Sequence, residues 1–143
     1  MGASVNAYWP GITGEQHRRE PGFRNDCKSW GNWMAEREGE PAVSEALGRL
    51  NAEALLTYTT EGTEDEEVSW VSPGQLRDAA ARLREAVRAG APETGVVVET
   101  YARNCNNPAN AAAEFVRDLE DIIAVTEWAE REGATLMTLE VNW

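Results

Sequence analysis

Apolar and polar positions alternate most clearly in the last third of the chain. Phe115, Leu119, Ile122, Thr126 and Ala129 recur at three- and four-residue steps, with Val116 and Ile123 widening the same face. That period predicts a long amphipathic helix. Asn107 and Pro108 read as its N-cap and first residue, because proline's missing N–H would be unpaired there anyway. Gly133 supplies the left-handed residue that stops it. Beyond, Met137, Leu139, Val141 and Trp143 alternate with Thr138, Glu140 and Asn142, which predicts a closing strand over 135–142. The same alternation places the Trp143 ring in the core beside Phe115, Leu119 and Ile122, with its carboxylate at the domain edge.

The rest of the chain is punctuated in the same way. Val5, Ala7 and Trp9 alternate with polar neighbours and predict a strand over 3–9, ended by Pro10-Gly11. Residues 13–22 read as loop with one helical turn. Phe23, Cys27, Trp30 and Met34 form a helical stripe with Trp33 beside it, and Val43, Ala46, Leu47 and Leu50 form a second stripe over 41–50. Segments 54–60 and 67–71 have the composition of strands and predict an antiparallel hairpin. Ser72-Pro73-Gly74-Gln75 has the form of a capping box, and it opens a helix of Leu76, Ala80, Leu83 and Val87 that Gly90 stops. In Val96–Cys105 three valines suit a strand while Val98, Tyr101, Ala102 and Cys105 keep helical spacing; the reading leans to helix. The expectation is one α+β domain over residues 1–143. Its antiparallel sheet would have about four strands, the first and last at the centre, with helices packed mainly on one face.

Composition changes this picture in one respect. The chain of 143 residues is 42% hydrophobic and 27% charged, ordinary for a folded domain, but its formal net charge is −12. That charge disfavours nucleic acid and anionic membrane as partners and favours a basic protein or a cation, unless it serves solubility alone. No apolar run approaches the roughly 20 residues needed to span a bilayer, and no leader pattern opens the chain. Cys27 and Cys105 lack C-x-x-C spacing and read as free buried thiols in a reducing cytoplasm.

Candidate chemistry is sparse. His17, the single histidine, sits in Gln16-His17-Arg18-Arg19 with no motif aligning it to a nucleophile, and the common nucleotide, hydrolase and metal motifs are absent. No cofactor or metal is therefore expected. Glu114, Asp118 and Asp121 stand at i, i+4 and i+7. They read either as a solvated flank paired with Arg117 and Arg131, or as an acid–base or metal-binding row with Trp128 as a stacking wall. The stretch from Glu61 to Glu67 holds five carboxylates, Glu61, Glu64, Asp65, Glu66 and Glu67, in seven residues. With Trp70 and Trp128 they are the candidate partner-binding residues, since tryptophan is enriched at protein interfaces. Two functions follow: a binding or inhibitory protein with an acidic surface, or a small enzyme or ligand-binding domain with a tryptophan- and carboxylate-lined pocket.

Over residues 70–143 the chain resembles the small acidic immunity proteins that bacteria make beside polymorphic toxins. The resemblance lies in Trp70-x-Ser72-Pro73-x-Gln75-Leu76 opening a helix and in Phe115-x-x-Asp118-Leu119 in a late helix that ends in Ala134 and a strand. It implies a cytoplasmic, non-catalytic inhibitor of a cognate toxin. An acidic surface suits a nuclease toxin with a basic cleft, because complementary fields speed association.

Overall fold

The computed structural model describes residues 4–24, 28–36, 40–60, 62–105 and 107–142, with the backbone only at positions 28, 29, 35, 36 and 65. Strand β1 (Ser4–Tyr8) leads through a short helix α1 (Gly14–Arg18) to α2 (Lys28–Glu36) and α3 (Pro41–Arg49). A 3₁₀ turn at Glu53–Leu56 precedes the two-residue strand β2 (Thr59–Thr60). Helices α4 (Pro73–Arg88), α5 (Thr94–Ala102) and α6 (Ala111–Arg131) follow, and β3 (Thr138–Asn142) closes the fold.

The sheet is α+β in kind but differs from the expected one. It has three strands in the order β1-β3-β2 among the described residues, and only the closing strand is central. β1 pairs with β3 antiparallel, Val5 facing Val141 and Ala7 facing Leu139. β2 pairs with β3 parallel through Thr59–Glu140 and Thr60–Val141. The expected hairpin between 54–60 and 67–71 does not form. Ala54-Leu55-Leu56 lacks a two-residue alternation, and the 3₁₀ turn drives Leu55 fully into the core instead. From the second segment only Val71 joins the sheet, exchanging backbone hydrogen bonds with Met137 at 3.0 and 2.7 Å. β1 and β3 turn Val5, Ala7, Leu139 and Val141 inward, as their alternation requires.

The helix boundaries follow local chemistry. Ser72 accepts from the N–H of Gln75 at 3.1 Å while the Gln75 side chain accepts from the N–H of Ser72 at 2.9 Å, the expected reciprocal cap of α4. A second capping box, Thr13 with Gln16, starts α1. Gly133, at φ +94°, lets the N–H of Ala134 reach the carbonyl of Ala129 and so ends α6. The same stop ends α3 with Asn51 in the left-handed position at φ +54°, where Ala52 N–H reaches Leu47 O at 2.8 Å. At the start of α6 the expectation shifts by one turn. Pro108–Asn110 is a separate 3₁₀ turn, Asn107 makes no side-chain cap, and the helix begins at Ala111. Residues 94–102 are helical, as the spacing of Val98 and Tyr101 suggests.

The core centres on Phe115 of α6, packed against α4 and α5. Its ring lies 4.8 Å from Tyr101, 5.4 Å from Trp33 and 5.7 Å from Trp30, centroid to centroid. Trp33, expected beside the α2 stripe, is fully buried within it. Cys105 is a buried free thiol, and burial pushes its pKa up. The readings of Cys27 and of the Trp143 ring lie outside the described residues.

Candidate functional site

Glu114, Asp118 and Asp121 do not form the expected row. Asp118 is fully buried, and its Oδ2 accepts the Tyr101 hydroxyl at 2.6 Å. Burial and the Asp118 charge together hold the tyrosine pKa far above its usual value, so Tyr101 stays a neutral donor. Asp121 is also buried. Its Oδ2 accepts the Arg24 backbone N–H at 2.8 Å and its Oδ1 accepts Arg24 Nε–H at 2.8 Å. The Asp121 hydrogen bond and charge raise the Arg24 pKa. Asp118 and Asp121 are therefore not part of a solvated flank. Buried carboxylates persist where they are paired or hydrogen-bonded: Asp121 has the Arg24 guanidinium and backbone N–H, and Asp118 has the Tyr101 hydroxyl.

The signal for Asp118 was present in the spacing. Ala111, Phe115, Asp118, Ile122, Val125 and Ala129 form an unbroken three- and four-residue stripe, with Asp118 in the seam. Its partner comes from α5 and that of Asp121 from the segment before α2, which no local pattern announces. A hollow of about 330 Å³ over the start of α6 is lined by Asn110, Ala113, Glu114 and Arg117, so it takes in one of the three carboxylates. No group of three metal-ligating side chains occurs among the described residues.

His17 lies on α1 with Nδ1 3.7 Å from Glu20. Glu20 accepts the Ala7 N–H on the side of β1 that faces away from β3. Desolvation raises the Glu20 pKa against the lowering effects of that N–H and of His17. The carboxylate thus covers the open edge of an edge strand, a structural use that blocks further strand pairing.

The acidic segment forms a 3₁₀ turn at Asp65–Glu67 instead of a hairpin tip, with Glu67 N–H on Glu64 O at 2.9 Å. Glu64, Glu66 and Glu67 are exposed. None of them has an ion-pair partner among the described residues, whereas Glu40, Glu85, Glu120, Glu130 and Glu132 each hold an arginine. Glu61 and the Asp65 side chain lie outside the described residues. Trp70 follows three residues after Glu67, half-buried and stacked on Tyr8 at 5.8 Å. Trp128 is separated from this group. It is 5% exposed and packs on Trp9 at 5.3 Å, so it belongs to the core and is not presented to a partner.

A cleft of about 380 Å³ lies between the Glu53–Leu56 turn and α4, with Glu53 and Asp78 on its walls. Sequence reasoning missed it, because it is made by the turn that replaced the expected strand. No helix among the described residues is long and apolar enough to cross a membrane. No family model matches the chain, and no match is found among curated proteins or solved structures.

Proposed function

We propose that this chain is a cytoplasmic, non-catalytic binding protein that inhibits a basic toxin domain, in the manner of the small acidic immunity proteins. The observation that carries the reading is the distribution of compensated and uncompensated charge. Arginines pair with Glu120, Asp121 and Glu130 of α6 and with Glu132 after it. Glu64, Glu66 and Glu67, exposed along one turn with Asp65, have no ion-pair partner among the described residues and precede the half-buried Trp70 by a few residues. An acidic rim next to an aromatic anchor is the composition of a protein-binding surface, and a net charge of −12 suits a basic partner. The enzyme reading loses two of its three candidate carboxylates and its stacking wall, and keeps Glu114 alone. Asp118 and Asp121 are engaged inside the fold by Tyr101 and Arg24, and Trp128 is core.

The experiment is co-expression with the product of the reading frame adjacent to this one. The proposal expects that product to be toxic alone and harmless with this chain present. It also expects a complex of the two purified proteins. A harmless neighbour, or toxicity unrelieved by this chain, counts against the immunity role.

A further inference from the structure

The cleft between the Glu53–Leu56 turn and α4 is lined by apolar, neutral polar and charged side chains. Ala54, Val71 and Ala79 give apolar surface, and Glu53 and Asp78 carry exposed carboxylates. Among the described residues neither carboxylate has an ion-pair partner. Asp78 and Arg82 stand one helical turn apart, where such a pair normally closes. Arg82 instead turns to Asn51, its Nε–H donating to the carbonyl at 3.0 Å. That acceptor is offered by the left-handed residue that ends α3. Two carboxylates against one guanidinium leave the cleft one negative charge.

Apolar surface and uncompensated carboxylate in one cleft fit a side chain with an aliphatic stem and a cationic head. At about 380 Å³ the space is at the small end of ligand clefts. Val71 joins it directly to Trp70, the aromatic residue of the surface described above. Resting on the reading of this chain as the inhibitor of a basic partner, we propose that the cleft is the socket for one arginine or lysine side chain of that partner. The stem would lie on Ala54, Val71 and Ala79 and the head between Glu53 and Asp78.

The test needs no partner. n-Butylguanidinium chloride is titrated into the ¹⁵N-labelled protein at constant ionic strength, with guanidinium chloride as the stemless control. The expected result is saturable shifts at the amides of Ala54, Thr57, Val71, Asp78 and Ala79, weaker for guanidinium. Glu53→Gln with Asp78→Asn should weaken binding by about fivefold, the scale of two partly exposed ion pairs. Shifts confined to Glu64–Glu67 or spread evenly over the surface would overturn the proposal, as would unchanged binding to the double variant. Should the toxin pairing fail while butylguanidinium still saturates the cleft, the inhibitor reading falls and the cation socket stands. If the toxin binds but the cleft stays silent, only the socket is lost.

Discussion

Tyr101 and Asp118 meet inside the fold: the hydroxyl of one donates to the carboxylate of the other at 2.6 Å, joining α5 to α6 beside Phe115. A hydrogen bond to a buried charge contributes about 1.5–3 kcal/mol, and each partner depends on the other for its desolvation to be tolerable. Tyr101→Phe should therefore cost about 1.5–3 kcal/mol in urea unfolding. Asp118→Leu should cost a similar amount, because it strands the hydroxyl. The double variant should be less destabilised than the sum, by about 1 kcal/mol or more. Additive single effects would mean that the two groups do not depend on each other.

Glu20 gives a pH dependence with a definite sign. Its pKa is raised from 4.5, with desolvation the main cause. Folding therefore favours its protonated form, and its contribution to stability is present at or below about pH 4.5 and is lost as pH rises through the raised value. The facing titratable group is His17, at 3.7 Å. Glu20→Gln keeps an oxygen for the Ala7 N–H and removes the buried charge. Relative to the parent chain, the variant should gain stability as pH rises above about 4.5, and the gain should level off once pH passes the raised value, in parallel urea titrations. A constant difference from about pH 4.5 upward would show that the carboxylate is not desolvated.

Asn51 tests the backbone. It holds φ +54°, a conformation asparagine tolerates and alanine resists. Asn51→Gly should leave the thermal midpoint nearly unchanged, and Asn51→Ala should lower stability by about 1 kcal/mol. An alanine variant as stable as the parent would mean that α3 ends in another way.

Much of this fold was legible because much of it is local. Ser72 and Gln75 are three residues apart and fix the start of α4 together, and Gly133 stops α6 by its own conformational freedom. The alternation of Leu139 and Val141 shows which face of β3 is buried. What the sequence hid depends on distant segments. The parallel pairing of Thr59 with Glu140 and the Val71–Met137 bridge are set by which chain reaches β3, and composition alone suggested that 54–60 and 67–71 would pair with each other. Asp118 and Asp121 looked solvated because carboxylates usually are. Their burial depends on Tyr101 and on Arg24, the latter 97 residues away from Asp121. Of the candidate surface, the acidic turn and Trp70 were readable from residue types, whereas the burial of Trp128 against Trp9 required the tertiary packing.

The central claim, that the uncompensated acidic turn steers this chain onto a basic partner, is tested most directly by stopped-flow association with the product of the adjacent reading frame, the partner proposed above. Rate constants would be measured from low to high salt for the parent chain and for the variant E64Q/D65N/E66Q/E67Q. Steered association falls steeply as ionic strength rises, and neutral encounters run at about 10⁵–10⁶ M⁻¹s⁻¹. The account predicts that the variant keeps its fold and circular dichroism, associates about tenfold or more slowly at low salt, and shows a markedly flatter salt dependence. Equal rates and equal salt slopes for the two proteins would contradict it.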